Sequence, residues 1–211
     1  MVEPAARLRD IVAATKPRRG GASSSAQAPW TRPNLAGRLV ELSGGEASSA
    51  LTFAVALVLD AQRRGETAAW VASRESCFFP PDVDATGVDL AALPVVRVPQ
   101  AGHVARTGER LLRSGAFDLV VLDLGARAVA PLPLLTRMLG LAEKHDAAVV
   151  FLVEKSATSP SLGPLVSLRV EARRERVGDG EFACELSALR DKRRPAGWTH
   201  VEARRGPDGL R

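Results

Sequence analysis

The chain has 211 residues, 45% of them hydrophobic and 25% charged, with a formal net charge of +5; this is a globular composition and excludes a wholly disordered chain. No apolar run reaches the roughly 18 residues needed to span a bilayer, and the N-terminus carries no apolar secretion signal, so a cytoplasmic protein without a membrane role is expected. Tyr is absent and aromatics are 4%, so the core has to be built from Ala, Val and Leu, while the basic excess fits either a polyanionic partner or a plain surface bias towards arginine.

Residues 1–15 contain "EPAARLRDIVAA", in which Leu8, Ile11 and Val12 recur at helical spacing; this predicts a short amphipathic helix able to dock on the chain's own domain or on a partner. Residues 16–36 are rich in Gly, Ser, Ala and Pro and read as a linker carrying Lys16, Arg18, Arg19 and Arg32. A basic arm of this kind follows phosphates with little specificity. Within "TKPRRGGASSSAQAPWTRPN" Trp30 is the one large apolar residue, expected to pack on the domain edge because a tryptophan left in water is uncommon.

From residue 37 to 205 a core domain is predicted, with residues 206–211 as a tail. "RLVELS" is a buried strand, "ALTFAVALVLDAQRRG" a helix stopped by Gly65, and "TAAWVAS" and "PVVRVP" are strands. "HVARTGERLLRSG" is a helix with Val104, Leu111 and Leu112 inward. "FDLVVLDL" is apolar on both faces, as a parallel strand beneath helices is. A helix, "PLPLLTRMLGLAEKHD", and a strand, "AAVVFLVE", follow. Beyond Glu154, three alternating segments without a helix between them, two of them joined by "VGDGE", predict antiparallel strands and a hairpin. The fold class is therefore α/β: a mainly parallel central sheet, helices on both faces and an antiparallel C-terminal extension. Cys77 and Cys184 stand in no metal spacing and read as small core residues of a reducing compartment.

The loop between the first strand and its helix, "SGGEASSALT", has the layout of a phosphate-binding loop. That chemistry needs glycines whose amides curl around phosphate oxygens, a lysine for the β/γ charge and a Ser/Thr hydroxyl for Mg²⁺. Gly44 opens the pattern, followed by Gly45, Glu46 and Ser48. Ser49 then stands at the second glycine position, Ala50 at the lysine and Leu51 at the hydroxyl. Thr52 is no substitute, since one residue along a helix rotates a side chain by about 100°. The loop is expected to be a structural turn. Asp123, ending "LVVLD", sits where a Walker-B aspartate would hold Mg²⁺, or else simply bridges neighbouring loops. His103, His145 and His200 fall in separate elements and suggest neither triad nor metal site. No cofactor, metal or catalytic group is expected.

Over Gly37 to about Ala203 these segments, in this order, resemble the RecA recombinase superfamily: "GRLVELSGGEASSALT" the strand and P-loop, "GERLLRSGAFDLVVLDLGARA" the helix and Walker-B strand, and "LSALRDKRRPAGWTHVEA" the closing antiparallel strands. The resemblance implies a RecA-like core whose catalytic motifs have decayed. Where the family has a water-activating glutamate, "VASRES" offers Arg74 or Glu75. Where it has a γ-phosphate-sensing glutamine, Glu154 stands. The second DNA-binding loop is reduced to "KSATSPSLGP", and between Leu124 and Leu134 there is no room for the first.

A RecA-like core of this size without ATPase motifs resembles ImuA-type proteins of damage-inducible mutagenesis cassettes. That resemblance implies an accessory, non-catalytic role in SOS-type translesion synthesis. Its implied partners are RecA, an inactive Y-family polymerase homologue of the ImuB type and, indirectly, an error-prone C-family polymerase, with weak DNA binding besides. "LRDKRRP" supplies Arg190, Lys192, Arg193 and Arg194; the resemblance implies that Arg190 and Lys192 reach a neighbouring RecA protomer, whereas a solvated hairpin rim is the plain alternative. Two further readings stay open: a nucleotide-dependent DNA-binding ATPase with a noncanonical site, and a plain DNA-binding module.

Overall fold

The computed structural model describes residues 30–45, 48–74, 76, 78–126, 128–195 and 197–205. The expected docking helix (Leu8, Ile11, Val12), the basic set Lys16, Arg18 and Arg19, the residues Glu46, Glu75 and Cys77, and the tail 206–211 lie outside them.

Eight strands form one sheet in the order β3-β2-β4-β5-β1-β6-β7-β8. They are β1 Arg38–Gly44, β2 Ala68–Ser73, β3 Val95–Val98, β4 Leu119–Gly125, β5 Ala148–Glu154, β6 Leu168–Gly178, β7 Glu181–Asp191 and β8 Thr199–Arg205. Between them run the helices α1 Arg32–Leu35, α2 Ala50–Arg63, α3 Pro80–Asp84, α4 Val104–Ser114 and α5 Leu132–His145. β3 to β6 in that order are parallel neighbours. β6 is shared: Val40 to Ser43 of β1 pair with it in parallel, and β7 pairs with it antiparallel. The antiparallel extension thus begins at the β6–β7 hairpin, one strand later than the alternation in the sequence suggests.

The near-continuous apolar runs of β1, β4 and β5 follow from burial on both faces. Val40, Leu42, Val121 and Val150 meet Phe53 and Leu57 of α2 in one layer. Leu39, Val120, Val149 and Phe151 meet Leu112 of α4 and Leu135 and Met138 of α5 in the other. Successive residues of each strand serve opposite layers, as a period of two requires. α4 and α2 stop where the sequence places glycine: Gly115 and Gly65 take φ +68° and +74°, a region costly for other side chains.

Residues 30–36 differ from a linker. The Trp30 indole donates to the Phe53 carbonyl at 3.0 Å and its ring meets Phe53 edge-on. The buried Arg32 guanidinium donates to the Asp146 carbonyl at 2.7 Å and lies 3.4 Å from Glu66. One tryptophan and one arginine fasten a segment whose average composition reads as flexible. Residues 78–93 add α3 and a short 3-10 turn that the periodicity does not reveal.

Candidate functional site

The C-terminal ends of β1, β4 and β5 meet at a cleft of about 500 Å³. In open parallel sheets this edge is where ligands sit. Gly44, Gly45, Ser48, Ala50 and Leu51 form one wall, Asp123 and Gly125 the next, and Glu154, Lys155 and Ser156 the third.

Two hydroxyls among the described residues of the loop after β1, those of Ser48 and Ser49, turn onto the protein itself. Ser48 Oγ accepts the Ala50 amide at 3.0 Å, and Ser49 Oγ donates to the Arg173 carbonyl at 2.6 Å. Ser48 lies so close over Gly44 that a Cβ there would fall 1.7 Å from its Oγ. Gly44 therefore makes room for Ser48. At the lysine and metal-ligand positions, Ala50 and Leu51 offer the cleft only alkyl groups.

Asp123 is buried and bonded on two sides: the Ser76 hydroxyl donates to its Oδ2 and the Gly125 amide donates as well. Burial pushes its carboxyl above the usual range, against those two donors, and the Glu154 charge pushes the same way. Glu154 ends β5 in register with Gly44. Arg74, in the region matching the family's water-activating glutamate, is exposed.

Among the described residues lining the cleft, Lys155 is the one cation, and it is already engaged. Its Nζ lies 2.7 Å from Glu41 Oε1 and donates to the Pro160 carbonyl at 2.7 Å. Glu41 has no solvent exposure. The same Oε1 is 3.1 Å from Arg169 Nε, and its Oε2 accepts the Ser161 hydroxyl and the Leu162 amide at 2.8 Å each. One buried carboxylate thereby fastens the segment after β5. The sequence carries a signal for it: a lone glutamate inside "RLVELS", a strand buried on both faces, demands a counter-charge. Lys155 and Arg169 are that counter-charge, and sequence reasoning passed over all three.

Two basic residues of "LRDKRRP" fasten the same segment from outside. Arg190 donates to the Gly163 and Val166 carbonyls and Lys192 to the Pro164 carbonyl. Arg193 reaches the Ala36 and Gly37 carbonyls, and Arg194 the Asn34 side chain. All four act within the chain here. No group of three or more His, Cys, Asp or Glu suited to a metal ion occurs among the described residues, and no described helix is long and apolar enough to cross a membrane.

The RecA N-terminal domain family model matches residues 32–144, just over half of the chain. The chain belongs to this family. It is 40% identical to Protein RecA of Clostridium acetobutylicum over 88 residues, covering 41% of this chain and 25% of that protein. For Protein RecA of Lactobacillus delbrueckii the identity is 38% over 88 residues, covering 41% and 26%, and for that of Fusobacterium nucleatum 33% over 87 residues, covering 41% and 23%. The chain thus spans about a quarter of the length of the curated relatives it matches.

The RecA-like match runs from α1 into α5. It includes Gly44 to Leu51 and Asp123 and ends before Glu154, Lys155 and Arg169. Tested against Mg²⁺-nucleotide, the residues present do not fit. Phosphates need a free cation, and Lys155 faces Glu41. The metal needs a helix hydroxyl, and Leu51 supplies none. The space beside Gly44 is filled by Ser48.

Proposed function

We propose that this RecA-like chain is a non-catalytic accessory protein of DNA damage tolerance, of the ImuA type. In this reading it joins RecA to an inactive Y-family polymerase homologue of the ImuB type, with an error-prone C-family polymerase recruited indirectly and DNA bound weakly.

One observation carries the reading. The cleft keeps its three walls while its only described cation is neutralised by Glu41, 2.7 Å away. A switch driven by nucleotide needs a ligand that binds its two states differently. Here the segment after β5 is fastened by Glu41 from inside and by Arg190 and Lys192 from outside. It presents one constant surface without nucleotide. Family membership adds the context of recombination and repair.

A pull-down with purified RecA and with the ImuB-type protein of the same organism tests the reading. Capture of both in the absence of nucleotide is expected. Capture of neither, or capture that requires ATP, overturns it.

A further inference from the structure

The helix α4 carries a feature unconnected with the cleft. Arg106, Arg110 and Arg113 follow one another at i, i+4 and i+7. At 100° per residue they fall within an arc of about 60°, opposite the arc of Val104, Gly108 and Leu112, and extend about 10 Å along the axis. Val104, Gly108 and Leu112 are buried against the sheet, so the arginines face solvent, and all three are exposed. Arg137 of α5 joins them. Its Nε lies 2.9 Å from Glu109 Oε1, and a terminal nitrogen of Arg113 lies 2.7 Å from the same oxygen. Glu109 thus holds two guanidinium groups side by side, one from each helix.

We propose that this arginine stripe on α4 and α5 is the surface by which the protein contacts the phosphate backbone of DNA. The inference rests on the DNA-associated role proposed above and names its surface. Guanidinium forks match phosphate oxygens in charge and geometry. The sequence of α4, "VARTGERLLRS", has no aromatic residue on which a base could stack, so contacts go to the backbone and carry no sequence preference. A protein partner is disfavoured by the same surface, because interface cores need buried aromatic or aliphatic anchors and the outward arc of α4 has none. Lying on the sheet layer opposite α2, the stripe is also independent of the cleft.

Fluorescence anisotropy with labelled oligothymidine, at several salt concentrations, tests this. Arg106→Glu/Arg110→Glu is compared with Arg63→Glu/Arg64→Glu, which makes the same charge change at the exposed end of α2. Wild type is expected to bind with strong salt dependence. The α4 variant should bind at least about tenfold more weakly, with a log K against log salt slope shallower by about 1.4, two single-strand phosphate contacts. The α2 control should change less than about threefold. Equal losses in both variants overturn the proposal, as does wild type that fails to bind at about 50 mM salt, or that prefers polyglutamate to the oligonucleotide. Retained capture of the protein partners by the α4 variant separates this surface from the adaptor role.

Discussion

Lys155 directs its ammonium at Glu41, 2.7 Å away, so that a residue lining the cleft is neutralised by a carboxylate buried beneath it. Arg169 closes the cluster at 3.1 Å. Replacing Glu41 by Gln would leave two cations facing a neutral amide in a buried place. Breaking a buried pair from one side costs about 3–5 kcal/mol. Urea unfolding of Glu41→Gln should show a loss of that order. Lys155→Met, which leaves Glu41 with Arg169, should lose less, while amides of residues 155–162 exchange faster with deuterium. A Glu41→Gln midpoint equal to wild type contradicts the clamp.

A second buried charge ties the sheet's opposite edge. Arg38 lies 2.6 Å from Asp191, which also accepts the Trp198 indole and the Arg193 amide. Burial would raise the Asp191 carboxyl, but these donors outweigh it and hold it below the usual range. A depressed folded-state pKa contributes stability that is present above the unfolded value, about 3.9, and is lost as pH falls through the folded one. The urea midpoint of wild type should fall steeply on acidification in that window. Asp191→Asn should start lower at neutral pH and show a flatter acid limb.

Asp123 has the opposite sign. Its carboxyl is raised by burial, so the folded chain keeps a proton that the unfolded chain releases. Its contribution is present below about pH 3.9 and declines as pH rises through the folded value. Asp123→Asn removes that decline. Its midpoint at neutral pH should equal or exceed that of wild type. A clear loss at neutral pH would mean that the charge itself holds the cleft together.

Two glycines on neighbouring helices separate packing from propensity. A Cβ on Gly108 would lie 2.5 Å from Leu122 Cδ2, inside the core. Gly108→Ala should cost about 1–3 kcal/mol through overpacking. Gly140, on the exposed side of α5, would place its Cβ in open space. Gly140→Ala should stabilise by about 0.5–1 kcal/mol through helix propensity. Thermal unfolding of the pair reads both signs.

Much of the fold was legible because hydrophobic period and turn residues agree. Continuous apolar runs marked β1, β4 and β5, and Gly65 and Gly115 marked two helix ends. The short α3 escaped because five residues hold too few turns to show a period. Residues 30–36 escaped because Trp30 and Arg32 act singly, through partners far along the chain at Phe53 and Asp146. In the cleft, the alkyl replacements at Ala50 and Leu51 were readable from motif spacing. The clamp was not, because Glu41 in β1, Lys155 just past β5 and Arg169 in β6 are separated by more than 100 residues from first to last. The destinations of Arg190 and Lys192 were hidden for the same reason: a charge on a strand names no partner until the loop opposite is placed.

In the function proposed above, the cleft keeps its three walls but binds no nucleotide. Isothermal titration of the purified protein with ATP in the presence of Mg²⁺ tests it most directly. No saturable heat is expected in the micromolar range. A dissociation constant at or below about 10 μM would contradict it.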